Sequence, residues 1–276
     1  MKFMIKILAP KDKKKIVDFC MKNERENLFV LGSFLLYKNG FKLNRYIGNF
    51  ENNNLTGLAV YFPMYKSFVM NAPSVSVINK LVDFAVEQNF HIGCIPVFKK
   101  YAGPAIKRLK IKHGMIPKEI SRQTVFVLEK KFFVNFLKGN ESVAKAYDLK
   151  ELVMIDRILN NRDINERMSK EDKDKIDPKT TFILKRYGKI STTAKLHGMS
   201  ENYFQIGGVI TLPAHRGKGY AKMVVSKLCE YYFDKGFQYG MLFTADTNVA
   251  ARKVYKSLGF KPADKFIIAE YTELLS

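Results

Sequence analysis

Apolar residues along the first half of the chain recur with two spacings, one typical of β-strands and one typical of amphipathic helices. Short apolar runs bounded by polar or glycine-containing turns predict strands, and apolar residues every three or four positions predict helices. The predicted strands cover residues 3–8, 46–50, 56–62, 68–70, 92–98 and 124–128. The predicted helices cover residues 12–20, 28–36, 77–89 and 105–110. This alternation indicates an α/β (α+β) fold.

The second half repeats the same order of elements after a transition at residues 129–140. Its predicted strands cover residues 143–146, 181–185, 191–196, 203–212, 237–244 and 265–271, and helices are predicted to begin near residues 148, 220 and 249. The densely charged stretch from Asn160 to Lys179 predicts a polar helix or a mobile loop. Two halves with matching order suggest an internal duplication, so we expect domains over residues 1–135 and 136–276.

Composition indicates a globular protein with a sizeable core, since 47% of its 276 residues are hydrophobic. No apolar run reaches the roughly 18 residues needed to cross a bilayer, and charge interrupts the N-terminal segment too early for a signal peptide. We therefore expect a cytoplasmic protein without a membrane partner. The cysteines, Cys20, Cys94 and Cys229, are widely separated, which predicts reduced thiols and neither a disulfide frame nor a metal site.

The formal net charge of +21 would suit a polyanionic partner such as nucleic acid or a phosphorylated cofactor. The lysines are spread along the chain and do not form an arginine-rich stripe interleaved with aromatic residues. No base-reading motif is present either, so nucleic-acid binding stays a third hypothesis that the sequence does not favour.

A glycine-containing turn, HRGKGYA at residues 215–221, lies between a predicted strand and a predicted helix. Gly217 and Gly219 allow the backbone to turn tightly and to approach a ligand, and the start of the helix adds partial positive charge. Arg216 and Lys218 add full charges. This combination predicts a pyrophosphate site.

The equivalent place in the first half reads NAPSVS at residues 71–76, with no glycine and no basic residue. The same kind of anion site cannot form there. The first half is therefore expected to contribute core, interface or a substrate wall, and the chain is expected to have one active site.

Two motifs in the second half resemble the signatures of the Gcn5-related N-acetyltransferases (GNAT superfamily). Arg216-x-x-Gly219-x-Ala221 resembles the acyl-CoA pyrophosphate motif, and NVAARKVYKSLGF at residues 248–260 resembles the helix that begins with asparagine, carries a tyrosine and ends in Gly-Phe. The resemblance covers residues from about 140 to the C-terminus. It implies two tandem GNAT-like domains, each a mixed, mostly antiparallel sheet flanked by helices. The first would be degenerate and the second would bind acetyl-CoA.

The spacing within the second motif predicts its chemistry. Asn248 and Tyr255 are seven positions apart, close to two helical turns, so both side chains are expected on one helix face with Ala251 between them. A phenol with an ordinary pKa near 10 suits a proton donor to a leaving thiolate, so Tyr255 is the candidate general acid. The alternative is that Tyr255 is a core aromatic residue.

The resemblance also implies how acetyl-CoA is held. In this superfamily the strand before the turn bulges and its backbone pairs with the pantetheine arm, which corresponds to Val209, Ile210 and Thr211. Gly207 and Gly208 fit such a bulge, or alternatively close packing. The remaining cofactor-binding candidates are Arg216, Gly217, Lys218, Gly219, Tyr220, Ala221, Asn248 and Ala251.

The implied reaction is direct attack of a primary amine, on a small molecule or a peptide, on the bound thioester without a metal. The sequence departs from a common arrangement of the superfamily, because the strand carries Tyr203 and Gln205 where a catalytic glutamate is often found. The candidates for a base or a water relay are His197, Glu201 and Tyr203. For His197 the alternative is a purely structural role.

A second hypothesis is a non-catalytic acyl-CoA sensor or scaffold, which would bind acetyl-CoA without transferring the acetyl group. The acceptor depends on the wall opposite the thioester. We expect the first half, the segment at residues 160–179 and the hairpin near Tyr187 and Gly188 to build that wall.

Overall fold

The computed structural model describes residues 3–36, 40–159 and 162–271. In the first half the strands are β1 (Phe3–Ile7), β2 (Arg45–Glu51), β3 (Asn54–Phe62), β4 (Ser67–Asn71), β5 (Cys94–Phe98) and β6 (Pro117–Glu129). The helices are α1 (Lys13–Met21), α2 (Leu28–Leu35), α3 (Gly40–Leu43), α4 (Val75–Glu87) and α5 (Lys99–His113).

In the second half the strands are β7 (Glu141–Val143), β8 (Thr181–Arg186), β9 (Lys189–Met199), β10 (Tyr203–Thr211), β11 (Tyr239–Ala245) and β12 (Lys261–Tyr271). The helices are α6 (Leu149–Leu159), α7 (Lys170–Lys175), α8 (Tyr220–Asp234) and α9 (Val249–Ser257). Apart from α3, the described elements follow one another in the same order in both halves. The repeated order predicted from the hydrophobic pattern is confirmed.

Two elements of the first half are longer than their apolar pattern predicts. Helix α5 begins at Lys99, although Pro104 lies inside it and removes one helical hydrogen bond, which is why the sequence predicts a helix only from Ala105. Strand β6 begins at Pro117. Its polar first half forms backbone hydrogen bonds with β12 and does not pack its side chains into a core. Pairing along the backbone needs no apolar side chains, so the pattern does not detect it.

The twelve strands form one continuous sheet in the order β1-β2-β3-β4-β5-β12-β6-β11-β10-β9-β8-β7. Strand β12 lies between β5 and β6, and β6 lies between β12 and β11, so each half places its last strand inside the sheet of the other half. The two mostly antiparallel sheets expected from the sequence are therefore joined by strand exchange. The division between residues 135 and 136 stays a prediction.

The two parallel strand pairs diverge soon after they meet. Strands β10 and β11 pair only where Tyr203–Gln205 lie beside Tyr239–Met241, and β4 and β5 pair only where Ser67 lies beside Cys94. Beyond these pairs the strands separate and leave a cleft in each half. The fold therefore contains two clefts of the same kind.

Helix α2 of the first half packs on the sheet of the second half. A Cβ atom on Gly32 would lie 3.0 Å from Cα of Gly198, and a Cβ on Gly198 would lie 2.8 Å from the carbonyl oxygen of Leu28. Two glycines therefore allow the helix to approach β9 closely. The turn before α2 binds the same region, since Glu24 accepts hydrogen bonds from Ser200 Oγ (2.5 Å) and Asn202 Nδ2 (2.7 Å).

A buried ion pair joins the charged stretch at residues 160–179 to helix α6. Arg157 Nη2 donates to Asp172 Oδ2 at 2.6 Å, and both side chains are only 2% exposed. The same guanidinium donates to the carbonyl oxygens of Glu166 and Arg167. The expectation of a polar helix is confirmed for α7, and Arg157 contacts residues 166, 167 and 172 of this stretch. Asn160, where the prediction began, lies outside the described residues.

Within the described ranges, no helix is long and apolar enough to cross a membrane, and no group of histidine, cysteine and acidic side chains could hold a metal ion. Cys20 and Cys229 are buried free thiols, and Cys94 is a half-buried one.

Asp172 should be more important for stability than a neighbouring surface carboxylate. Asp172→Ala leaves the Arg157 guanidinium buried without its counter-charge, and removing one partner of a buried pair costs about 3–5 kcal/mol. We expect a loss in the free energy of unfolding at the low end of that range, because the second partner, Arg162, is 37% exposed. Urea denaturation measures it, with exposed Asp163→Ala as the control. Equal losses in both variants would contradict the structural role.

Candidate active site

The strand that precedes the glycine turn is bulged at the predicted place. Gly207 pairs with Lys195 and Ile210 pairs with Thr193, so Gly208 and Val209 together oppose the single residue between those two on β9. Gly208 has φ +55°, which is unfavourable for residues with a Cβ. The glycine pair serves both alternatives, because the strand bulges here and a Cβ atom on Gly207 would also meet His197 Nδ1 at 2.1 Å.

Beyond Gln205 the edge of β10 that faces β11 has no strand partner within the described residues. Its other edge stays paired with β9, where Ile210 and Thr211 lie beside Thr193 and Thr192. The Thr193 hydroxyl also donates to the carbonyl oxygen of Gly208 at 3.1 Å and so holds the bulge. A strand edge fixed on one side and unpaired on the other offers backbone groups to an extended ligand.

The glycine turn leads from this edge to the N-terminus of α8. Gly217 and Gly219 have φ values of +75° and +76°, and a Cβ atom on either one would meet no atom within 4 Å. Gly219 is the N-cap of α8, and no side chain caps the helix there. The first-turn N–H groups, which include those of Tyr220 and Ala221, therefore have no side-chain cap and remain for another acceptor.

Two of the predicted basic residues frame the turn. Arg216 Nε donates to the carbonyl oxygen of Thr211 (3.1 Å), and Lys218 Nζ donates to that of Ala214 (3.2 Å). A third basic residue was not singled out from the sequence. The Arg186 guanidinium lies 4.9 Å from the ring centre of Tyr220, because the hairpin of β8 and β9 brings the end of β8 beside the start of α8. The positive charge around the turn is larger than the motif alone indicates.

Asn248 has a local role that differs from the expected one. It precedes α9 as the N-cap, and its Oδ1 accepts a hydrogen bond from the backbone N–H of Ala251 at 3.0 Å. Its side chain is exposed whereas Tyr255 is buried. The common helix face expected for the two residues stays a prediction. Within the described residues its Nδ2 group has no partner, which leaves that group for a ligand.

Tyr255 packs in the core of the second half. The residue is 6% exposed, and its ring centre lies 6.2 Å from that of Phe126 and 6.0 Å from that of Phe260. Burial raises the pKa of Tyr255 to about 12. The phenol therefore stays protonated at neutral pH and has a proton to donate in a hydrogen bond. The packing agrees with a core aromatic residue, and the protonation state agrees with a donor.

His197 lies beside the bulge. Gln205 pairs with Gly198 and Ile206 pairs with Leu196, so His197 between them has no partner on β10. Its imidazole lies against Gly207, where a Cβ atom would be only 2.1 Å from Nδ1. Part of the residue is exposed, but desolvation by the protein around the ring and the charge of Lys195 lower the pKa of His197 to about 4. The imidazole is therefore neutral at pH 7.

The other two candidates for a base lie at the far end of β10. Tyr203 stacks on Tyr239 with ring centres 4.6 Å apart, five residues and thus about 16 Å before the bulge. Glu201 is exposed in the turn between β9 and β10, further away still. Only His197 of the three lies next to the cleft.

Gln205 is completely buried, and neither atom of its amide group has a hydrogen-bond partner within the described residues. It lies where β10 and β11 begin to diverge, and α2 covers it. The GNAT superfamily often has a catalytic glutamate on this strand. Here the strand carries a neutral side chain that is closed off from solvent.

Lys195 and Asp156 are two residues near the bulge that sequence reasoning missed. Lys195 pairs with Gly207, its alkyl chain lies over Gly208, and its Nζ lies 3.5 Å from Asp156 Oδ1. No motif contains them, because they come from β9 and α6 and meet only in the folded chain. The pair lies on the side of the bulge where His197 lies.

The bulge, the unpaired strand edge and the glycine turn agree with a sequence comparison. Residues 147–260 match the family model described as the acetyltransferase (GNAT) family. This stretch of the second half is therefore similar to that family. The match contains both motifs, together with β8, β9 and the bulged β10.

Solved structures share the fold over nearly the whole chain. An acetyltransferase from the GNAT family of Colwellia psychrerythraea has 15% identity and a TM-score of 0.57, with 98% of this chain and 100% of that chain covered. A GCN5-related N-acetyltransferase from Sphaerobacter thermophilus has 12% identity and a TM-score of 0.62, with 98% and 95% covered. A tandem GNAT protein from the clavulanic acid biosynthesis pathway has 11% identity and a TM-score of 0.60, with 98% of both chains covered.

No curated protein sequence matches the chain. The structural similarity extends over both halves and includes a tandem GNAT protein, so the GNAT-like fold predicted for this chain is confirmed.

Removing the charge of Lys195 should raise the pKa of His197. A neighbouring cation disfavours the protonated imidazole, so Lys195→Met moves the pKa upward from about 4 while desolvation keeps it below the ordinary 6.5. An NMR titration of the imidazole measures the pKa, and His197→Gln assigns the signal. Lys189→Met, on the same strand but exposed at its start, is the control. A wild-type pKa near 6.5, or no change in Lys195→Met, would contradict this environment.

Proposed function

We propose that this protein is an N-acetyltransferase that moves an acetyl group from acetyl-CoA to a primary amine by direct attack in a ternary complex. One observation carries the proposal. Strand β10 bulges at Gly208 and Val209, separates from β11, and runs directly into an uncapped glycine turn. An unpaired strand edge that ends at an anion site suits a long amide-containing arm joined to a pyrophosphate.

The residues of the cleft fit acetyl-CoA, which would supply the acetyl group as an activated thioester. Val209, Ile210 and Thr211 would pair through their backbone with the pantetheine arm. The N–H groups of the turn and of the first turn of α8 would bind the pyrophosphate, with Arg216, Lys218 and Arg186 close by. Asn248 would donate from Nδ2 beside Ala251. Backbone N–H groups at the bulge would stabilise negative charge on the carbonyl oxygen.

Tyr255 is proposed to act on the leaving sulfur. Its pKa of about 12 lies well above that of an ordinary thiol, near 8.5, so complete proton transfer to a thiolate is unfavourable. Donation of a hydrogen bond that strengthens as charge develops on the sulfur agrees better with this pKa. The general-acid role proposed for Tyr255 is thereby made more specific.

His197 is the proposed proton acceptor or water-relay residue, because of the three candidates it alone lies beside the bulge. The amine must be neutral to attack, and a neutral imidazole next to solvent can pass a proton to water. Its low pKa makes it a weak base, so a relay suits it better than full proton abstraction. Glu201 and Tyr203 would act only through a longer chain of waters.

The proposed acceptor is an amine on a small molecule or a peptide, and the proposed location is the cytoplasm. The first half, over residues 1–135, is proposed to support the single active site of the domain at residues 136–276. Lys195 lies next to His197 and pairs with Asp156, so these two residues are candidates for the acceptor wall.

A second candidate function is a sensor that binds acyl-CoA without turnover. Gln205 favours it, because the position where a catalytic carboxylate is expected holds a buried neutral amide. Binding of acetyl-CoA with no thiol release from any amine would support the sensor over the enzyme.

Tyr255→Phe tests the proposed role of the phenol while the packed ring is kept. We expect turnover to fall by about 10²-fold and the dissociation constant for acetyl-CoA to stay within about twofold, since the hydroxyl acts on the leaving group. A thiol-release assay with a panel of amines measures turnover, and calorimetry measures binding. Unchanged turnover would show that Tyr255 is only a core residue.

Gly219→Asp tests the anion site. A side chain with φ near +76° is strained, and a carboxylate at the N-cap of α8 would repel a pyrophosphate, so acetyl-CoA binding should be lost. Gly236→Asp is the matched control, because Gly236 also has a positive φ and open surroundings but lies at the other end of α8, about 22 Å away. Calorimetry should show binding in the control alone, and equal affinity in both variants would argue against the cradle.

A further inference from the structure

The first half has a groove at the mouth of its own cleft. It has a volume of about 350 Å³ and lies between the end of α1, the loop from β4 to α4 and the start of α5. Small-molecule sites commonly have volumes of about 300–1,000 Å³, so the groove is large enough for a ligand. Its position in the first half corresponds to that of the proposed acetyl-CoA site in the second half.

This groove does not repeat the chemistry of the second half. Pro73 in the loop has no backbone N–H, and Ser74 Oγ already accepts the N–H of Val77 at 3.3 Å, so the start of α4 is capped. The seventh residue of α5 is Ala105, whereas the seventh residue of α9 is Tyr255. The groove therefore lacks a pyrophosphate cradle, and it lacks a tyrosine at the position that corresponds to Tyr255.

The polar side of the groove is positively charged. Lys22 is exposed and has no ion-pair partner among the residues that the structure describes, and Lys100 lies on the opposite side. Lys100 Nζ lies 2.6 Å from Glu26 Oε1, so the charge of Lys100 is compensated by a carboxylate. The charge of Lys22 is not compensated in this way by any described residue. The N-cap of α5, Phe98, provides no side-chain hydrogen bond, which leaves the N–H groups of the first turn to other acceptors. These features favour an anionic group.

The floor of the groove is fixed by buried hydrogen bonds. Glu26 has a side chain that is 4% exposed, and it accepts hydrogen bonds from Tyr101 Oη at 2.5 Å and Asn71 Nδ2 at 3.4 Å. These bonds use the polar atoms of Glu26 and Tyr101. The rings of Phe19 and Pro73 remain as apolar surface along the groove, whereas Tyr101 is only 4% exposed.

We propose that the groove is a binding site for a small molecule that carries a single phosphate or carboxylate on a ring. Lys22, Lys100 and the start of α5 hold the anionic group, and Phe19 and Pro73 contact the apolar part. The site is separate from the proposed acetyl-CoA site, and its occupancy does not depend on acetyl transfer.

Calorimetry on the full chain without acetyl-CoA tests the site, with phenyl phosphate and benzoate as probes. We expect saturable binding of both, competition between them, and phenyl phosphate affinity about tenfold higher than that of inorganic phosphate, because the ring adds apolar contact. Absence of saturable binding by both probes would overturn the proposal.

Two charge reversals separate this groove from the cradle of the second half. Lys22→Glu and Arg216→Glu change the net charge equally, so a general effect of the +21 charge alters both variants alike. Lys22→Glu should weaken phenyl phosphate by about tenfold or more, and Arg216→Glu should leave it unchanged. Lys22 is exposed at the end of α1, so this variant should fold, which circular dichroism checks. The reverse result, or equal weakening in both variants, would show that the groove is not the site.

Discussion

The divergence of β10 from β11 is the constraint on which the rest of the second half depends. Backbone groups on a strand edge require hydrogen-bond partners, and β11 supplies them for only three residues. The bulge at Gly208 and Val209 turns the strand away, the Thr193 hydroxyl holds it, and the glycine turn follows immediately. The cleft therefore exists because one strand is fixed by a neighbour on one side and released on the other. A ligand with its own amide groups completes the hydrogen bonding that the fold leaves open.

Strand exchange explains why a half without the motifs remains necessary to the chain. Strand β6 completes the sheet beside β11, and β12 returns to pair with β5, so neither half has a complete sheet alone. Helix α2 adds a second link, because Gly32 and Gly198 let it rest on β9 next to the strand position of His197. The first half thus supports the strands that carry the proposed site. This support does not depend on which residues line the cleft of the first half. That cleft is free to differ in chemistry, as its loop with Pro73 does.

Sequence reasoning succeeded where the signal is local. The order of elements follows from apolar spacing, and the turn at Gly217 and Gly219 follows from residues that are adjacent in the chain. The strand exchange could not be predicted, because β6 and β12 meet across more than a hundred residues and pair through backbone groups. Lys195 and Asp156 could not be predicted either, because they come from β9 and α6 and their side chains meet only in the folded chain. The N-cap role of Asn248 was missed, because spacing alone does not show where a helix begins. The burial of Gln205 depends on α2, which no pattern places over it.

In the proposed site, the positively charged residues and the residues proposed to act in the reaction are different groups. Fixed positive charges surround the turn through Arg216, Lys218 and Arg186, whereas the two residues proposed to act in the reaction, Tyr255 and His197, are neutral at pH 7. Burial raises the pKa of Tyr255, and desolvation with the charge of Lys195 lowers the pKa of His197. Both shifts disfavour an ion, although they have opposite signs, because a desolvated environment disfavours a charge of either sign. A neutral donor and a neutral acceptor suit the attack of an uncharged amine on an uncharged thioester. The strong charges then serve to hold the phosphates at a distance from the acetyl group.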